Sequence, residues 1–120
     1  MADLEIAFAS SPVKHGEQIA FIEGSLGTGE TTIELDLDGD VRLAAVAFEA
    51  GFAGATMTVK AVVPWASGDL EQIINELTIS VVAGEIVKVP YTDFFWPNKI
   101  LLTVNTGQST TKKIGFFGWR

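Results

Sequence analysis

The sequence contains no cysteine and only one histidine, His15, among its 120 residues. The missing cysteines exclude disulfide bonds and thiolate chemistry. Zinc sites and the metal centres of cupin enzymes need several histidine or cysteine ligands, and one histidine cannot supply them. His15 also lies in a turn-like segment, SPVKHGE, which gives it no oriented acidic partner for general-base catalysis. We therefore expect a protein that is not an enzyme and that carries neither a metal ion nor a cofactor.

Basic residues are also scarce: 8 lysines and arginines stand against 15 aspartates and glutamates, for a formal net charge of −7. Nucleic-acid binding and anionic-membrane binding both depend on clustered Lys and Arg, so this balance argues against either partner. The sequence has no run of about 18 apolar residues that would span a bilayer. It also shows no basic-then-apolar leader pattern. We expect a soluble, unprocessed chain.

Apolar residues are abundant, since 48% of the residues are hydrophobic and the mean hydropathy is +0.32. A chain of this length builds one core, and the surplus of apolar residues suggests burial against another subunit. We predict a single domain over residues 17–120. The preceding segment, residues 1–16, is a candidate N-terminal arm that adds a strand to the exposed edge of a neighbour.

Alternation of apolar and polar residues with a period of two dominates the chain and is typical of half-buried strands. Short strands at a spacing of about 8–12 residues, separated by turns rich in Gly, Pro, Asn and Ser, predict an antiparallel β-sandwich of jelly-roll type. The sets that the alternation places together on a buried face include Ile33, Leu35 and Leu37; Val41, Leu43 and Ala45; Met57, Val59 and Ala61; and Ile86 with Val87 or Val89.

One segment, SGDLEQIINEL, has helical rather than strand spacing. Leu70, Ile73, Ile74 and Leu77 recur at intervals that suit one face of a helix, and Asp69 is placed to cap it. We predict at most one short helix near residues 69–77, or an irregular crossover in its place.

An acidic cluster, Glu34, Asp36, Asp38 and Asp40, has the spacing of alternate strand positions followed by an Asp-Gly turn. A calcium loop needs oxygen ligands at alternate positions and a closing glutamate. Here Leu35 and Leu37 occupy the spacer positions as core residues. The pattern therefore favours a solvated strand face and a hairpin turn.

The stretch VPYTDFFWPNKILL places three aromatic residues side by side before a proline. Three interpretations stay open: a buried plug at one end of the sandwich, a subunit contact, or a sugar-stacking platform that includes Trp96. The residue types favour the first two. Trp65, in VPWASGD, lies at the tip of a tight connection, where it would serve either a protein contact or glycan binding.

From residue 50 onward the chain resembles small β-sandwich proteins encoded among the virion genes of tailed bacteriophages. In that family a Pro/Trp/Phe turn leads into a strand, then a polar turn with Gln, then a final strand that closes with Arg. Asn98 and NTG replace the basic residue and the Ser-Gly-Thr strand end of the family. The residues that carry the resemblance are Phe95, Trp96, Pro97, Leu101, Thr103, Thr106, Gly107, Gln108 and Arg120.

The resemblance implies a structural virion protein: a capsid decoration or cement subunit, a homo-oligomer with a trimer favoured, that binds the major capsid protein. The implied location is the capsid surface, after synthesis in the host cytoplasm. The residues that we expect at protein contacts are Phe8, His15, Phe52, Trp65 and Phe95. The alternative is a carbohydrate-binding jelly-roll module or a fibre component, in which Trp65 and Trp96 contact a glycan.

Overall fold

The computed structural model describes residues 4–7, 19–37, 42–65, 67–72, 77–90 and 99–119. These residues form strands and turns, and the described ranges contain no helical segment with the length and hydrophobicity of a transmembrane span. The strands are β1 (Leu4–Ala7), β2 (Ile19–Leu26), β3 (Thr32–Asp36), β4 (Arg42–Phe48), β5 (Thr56–Trp65), β6 (Gly68–Gln72), β7 (Thr78–Ser80), β8 (Ile86–Lys88), β9 (Lys99–Val104) and β10 (Lys112–Trp119).

The strands form two sheets that pack face to face. The six-stranded sheet has the order β1-β3-β9-β5-β6. The sixth strand, β7, pairs with the first part of β5, on the same side as β6, which pairs with the last part. The four-stranded sheet has the order β2-β10-β4-β8. The pairs are antiparallel apart from β1 with β3. For comparison with a jelly roll, we leave out β1, count β6 and β7 as one strand, and renumber the remaining eight strands in chain order. In that numbering the larger sheet has the order 2-7-4-5 and the smaller sheet has the order 1-8-3-6. This is the jelly-roll arrangement, and the predicted fold is confirmed.

The core lies between the sheets, where alternate side chains of each strand meet. From the six-stranded sheet, the predicted inward sets on β3 and β5 are confirmed. From the four-stranded sheet, the largest contributor is Phe116, and full burial of such a side chain contributes about 2–3 kcal/mol. The fully buried core residues include Leu26, Ile33, Leu35, Leu37, Leu43, Val46, Met57, Val59, Ala61, Ile100, Leu102 and Phe116.

The segment near residues 69–77, for which we predicted at most one short helix, forms a strand where the structure describes its first part. Gly68–Gln72 is strand β6, which pairs with the end of β5 so that Trp65 lies opposite Gly68. Gly68 has a φ of 131°, a conformation that glycine adopts without strain, and it allows the chain to reverse tightly. The hairpin satisfies the backbone of this segment by pairing with β5, which overrides the helical spacing of its side chains. Residues 73–76 lie outside the described ranges.

Two predicted inward positions are wrong. The pairing of β4 with β10 shifts register between Phe117 and Gly118, so Leu43 and Val46 face the core and Ala45 faces outward. Such a bulge inserts one residue and reverses the alternation beyond it. On β8 the half-buried Val87 packs against the core, and Ile86 is 62% exposed. Val89, just beyond the strand, is buried as predicted, whereas Val41 lies outside the described residues.

The NTGQ turn fastens one end of the sandwich to the loop that precedes β5. Buried Gln108 donates from Nε2 to the carbonyl of Ala53 at 3.0 Å and accepts from its N–H at 2.8 Å. Asn105 Oδ1 accepts from the N–H of Ala55 at 2.8 Å. These side chains replace sheet partners for a loop whose backbone would otherwise be unpaired. Three of the residues that carry the phage-protein resemblance, Thr106 to Gln108, therefore lie in a structural turn.

Strand β1 closes one edge of the sandwich. It pairs in parallel with β3, and its half-buried Leu4 and Ile6 pack against the core. Leu4 reaches across to β2, where a Cβ on Gly24 would lie 2.8 Å from Leu4 Cδ2. The four residues Leu4–Ala7 of the predicted arm thus form a strand on their own chain; the rest of residues 1–16 lies outside the described ranges.

Candidate functional site

The most exposed large apolar side chains of the described strands lie on the outer face of the four-stranded sheet. Phe21 on β2 is 46% exposed and Ile86 on β8 is 62% exposed. Between them lie the half-buried Phe117 of β10 and the alanines of β4. We call this surface the apolar face, and it consists of Phe21, Ala45, Ala47, Ile86, Gly115 and Phe117.

Strand alternation produces the apolar face. In the GFFG segment of β10, Phe116 and Phe117 are neighbours and must point to opposite sides of the sheet. Phe116 fills the core, so Phe117 lies outside. The register then places Phe21 and Ala45 on either side of Phe117, in one row across the sheet. A second row holds Glu23, Gly115, Ala47 and Ile86 in the same strand order.

The aromatic pair is fixed by a glycine. The Phe21 and Phe117 rings have centroids 4.8 Å apart and planes tilted by 47°. A Cβ on Gly115 would lie 2.6 Å from Phe21 Cε1, so the Phe21 ring lies across β10 directly over this residue. Glycine in a strand often marks such a close approach, and an aromatic ring shields the bare backbone from water.

Beside the aromatic pair lies a shallow groove of about 230 Å³. Its floor includes Gly115 and Ala47, and charged residues border it. Glu49 Oε1 accepts a hydrogen bond from the Lys113 N–H at 2.6 Å, which holds that carboxylate at the border. An apolar floor with a charged border suits contact with another protein surface. In the described part of the chain, no group of three or more acidic or histidine side chains could hold a metal ion.

The other outer face, on the six-stranded sheet, has a different character. A second groove of about 240 Å³ there is lined by Glu5, Ile6, Glu34, Asp36 and Lys99. Lys99 Nζ lies 3.3 Å from Glu34 Oε1. The predicted outward orientation of the acidic cluster is confirmed for Glu34 and Asp36, and Asp38 and Asp40 lie outside the described residues. Partly exposed pairs of this kind contribute little to stability.

Of the five residues predicted at contacts, Phe52 and Trp65 lie within the described ranges. Phe8, His15, Phe95 and Trp96 lie outside the described ranges, as does Arg120. Trp65 is the last residue of β5, at the hairpin with β6. Phe52 is 4% exposed and packs against Phe48 with ring centroids 5.0 Å apart. Its ring belongs to the core and offers almost no surface to a neighbour.

The residues of the apolar face were not among the predicted contacts, although the sequence carries two signals for them. Ile19 to Ile22 is apolar at successive positions, so a strand there presents apolar side chains on both faces. The two adjacent phenylalanines of β10 likewise cannot both be buried in one core. The sequence does not indicate that Ile86 is exposed, because Ile86, Val87 and Val89 are all apolar and any of them could face outward.

No family model matches the sequence, and no curated protein matches it. Among solved structures, the chain is similar to the Drosophila NLP core, a crystal structure described as giving insight into pentamer formation and histone binding in that protein. The match has 14% sequence identity and a TM-score of 0.39, and it covers 86% of this chain and 98% of the other. At these values the likeness carries no inference about this chain.

Proposed function

We propose that this chain is a structural subunit that acts by protein–protein contact, as a decoration or cement protein on the head of a tailed bacteriophage. The virion class comes from the resemblance of residues 50–120. The observation that carries the assembly role is the apolar face, where Phe21 and Ile86 are open to water on a broad sheet surface.

An apolar sheet face has a physical consequence for association. Burial of apolar surface contributes about 25 cal/mol per Å², so covering two large half-exposed side chains and the flat area between them favours binding. Small residues between them, Ala47 and Gly115, let another surface approach the backbone closely. A subunit that covers such area between neighbours adds stability to a shell without any chemistry, because binding favours the assembled state by mass action.

The charge of the chain suits a position outside packaged DNA. Its formal net charge of −7 repels phosphate. The apolar face has charges of both signs nearby, with Glu23 on β2 and Lys88 on β8. Contact through that face therefore does not depend on a strongly basic or acidic partner.

The direct test is mass spectrometry of virus particles purified from cells that encode this chain. We expect the chain in purified heads at a copy number comparable to that of the major capsid protein. Its absence from purified particles, with the capsid protein readily detected, would overturn the virion assignment.

The role of the apolar face is tested on heads that lack the chain, to which purified protein is added back. Phe21→Ser and Ile86→Ser should each lower occupancy several-fold, since each removes exposed apolar area. Val82→Ser is the matched control, because Val82 is also exposed and lies in a turn away from the two rows of the face. Equal occupancy for all three variants contradicts this role.

A second candidate function is the carbohydrate-binding module, since Phe21 and Phe117 form an aromatic pair on an open sheet face, where sugars can stack. Their 47° tilt gives no single flat platform, which favours the protein contact. A glycan array decides between the two. Glycan binding that is lost in the Phe21→Ser variant, together with no association of the protein with heads, would favour the carbohydrate-binding function.

A further inference from the structure

We infer that the apolar face is the contact between two copies of this chain, related by a two-fold axis parallel to the strands and between β10 and β4. The inference rests on the proposed function in taking this face as an assembly surface, and it names the partner. Sheets that pack face to face keep their strands roughly aligned, so such an axis gives an ordinary sheet-on-sheet contact. A two-fold contact also requires that the surface be complementary to itself.

The shape of the face meets that requirement. The axis places β10 of one copy over β4 of the other, and β2 over β8. The large half of the face, with Phe117, then lies over the small half of the second copy, with Ala45. In the next row Gly115 lies over Ala47 of the second copy. Phe117 therefore meets a small residue, and two small residues meet in the next row, where the backbones can approach closely; each contact forms twice by symmetry.

The charges meet the requirement as well. Glu23 on β2 lies one row from Lys88 of the second copy, within reach of that long side chain. Lys113, at the other end of the face, lies over Glu49 of the second copy, because these two residues are neighbours across β10 and β4. Each of these opposite-charge pairs forms twice across the axis. Complementary charges of this kind fix the register of an interface.

The alternative two-fold axis, perpendicular to the strands, is disfavoured by the same residues. It would place each strand over its own copy, so that Glu23 lay near Glu23 of the second copy and Lys88 near its own equivalent. Like charges brought together in an interface are costly. Because the acidic Glu23 lies on β2 and the basic Lys88 lies on β8, the charges favour the axis that runs along the strands.

The size of the face sets the expected strength. Four strands about 4.8 Å apart, counted over the two rows and the level of Lys113 and Glu49, cover roughly 400 Å² on each copy. A total near 800 Å² lies at the weak end of specific interfaces. We therefore expect a dimer that forms at high protein concentration, as on a crowded particle surface, and dissociates on dilution.

The test is sedimentation equilibrium of the purified chain over a range of about 10 µM to 1 mM, the span in which a weak dimer populates. The average mass should rise with concentration from 12.8 kDa towards twice that value. Glu23→Lys and Lys88→Glu should each weaken dimerisation at least tenfold. An equimolar mixture of the two variants should recover it, because the heterodimer contains one native pair and one reversed pair. The double variant should recover it as a homodimer.

Glu5→Lys is the matched control, since Glu5 is an exposed strand residue on the six-stranded sheet and its reversal should leave the dimer unchanged. Far-ultraviolet circular dichroism of each variant checks that the fold is kept. A monomer at all concentrations, a trimer, or single variants whose mixture fails to recover the dimer overturns the inference. A monomer that still occupies heads leaves the proposed function standing. A dimer with no presence in particles overturns the proposed function and leaves the inference.

Discussion

On the outer face of the six-stranded sheet Leu101 is 6% exposed and Val62 is 2% exposed, whereas on that of the four-stranded sheet Ile86 and Phe21 are largely open. All four residues lie outside the core between the sheets. Their neighbours across the strands differ as well. Leu101 lies between Glu34 and Lys60, whose aliphatic stems can cover an apolar side chain while their charged ends stay in water.

On the four-stranded sheet the corresponding neighbours are too short to do this. Ile86 lies beside Ala47, and the next position across the sheet is Gly115. Phe21 covers that glycine and contacts Phe117, and 46% of Phe21 stays exposed. The two outer faces therefore differ in the length of the side chains beside Leu101 and Ile86. This sheet has short ones where a protein contact would need close approach.

The largest expected effect is on the free energy of unfolding, and it differs between Phe116 on the inner side of β10 and Phe117 on its outer side. Phe116→Ala should lower the free energy of unfolding by about 3–5 kcal/mol, because it leaves a cavity in the core. Phe117→Ala should cost roughly 1–2 kcal/mol, since its ring is only half-buried in the single chain. Urea denaturation followed by tryptophan fluorescence and circular dichroism measures both. Equal costs would mean that the two faces of this sheet are equally buried.

The next effect tests the comparison of the outer faces directly. Leu101→Ala should cost about 2–4 kcal/mol, because Leu101 is covered although it lies outside the main core. Ile86→Ala should change stability by less than about 0.5 kcal/mol at concentrations where the chain is monomeric. The same denaturation measurements apply to both. A large cost for Ile86→Ala in dilute protein would show that the single chain already covers this residue.

The alternation of residues sufficed to predict the jelly-roll architecture and the inward faces of β3 and β5. In those strands acidic, Thr or Lys residues separate the apolar ones, so only one assignment of faces buries the latter. The prediction failed on β4, where a bulge shifts the register at Ala45, because nothing local in a run of alanines and valines marks an extra residue. It failed on β8 because Ile86 and Val87 are both apolar, and period two does not say which side is inward.

The candidate site was harder to predict than the fold, because exposure depends on contacts far apart in the sequence. Phe21 and Gly115 are 94 positions apart, and only the pairing of β2 with β10 brings them together. The helical spacing near residue 70 is overridden for the same kind of reason, since pairing with β5 determines that segment. The aromatic residues around Trp96 stay a prediction, because they lie outside the described residues.

A smaller effect concerns the glycine beneath Phe21. Gly115→Ala should displace the Phe21 ring, because the new methyl group would lie 2.6 Å from Cε1. The ring is exposed and can rotate outward, so we expect a cost below about 1 kcal/mol. Nuclear Overhauser contacts between Phe21 and Phe117 should weaken, whereas Ser25→Ala on β2, the strand that carries Phe21, should preserve them. Unchanged contacts would mean that the backbone of β10 moves instead, and that the apolar face is more pliable than its partner sheet.

The smallest effect concerns the charges of the six-stranded sheet. The pair of Lys99 and Glu34, with atoms 3.3 Å apart, is partly open to solvent. A double-mutant cycle with Lys99→Met and Glu34→Gln should give a coupling of about 0.2–1 kcal/mol that falls as salt is raised to about 1 M. The cycle isolates the charge interaction because both replacements keep the aliphatic stems beside Leu101. A coupling above about 2 kcal/mol, insensitive to salt, would mean that charge pairing, rather than the covering of Leu101, distinguishes this face from the apolar one.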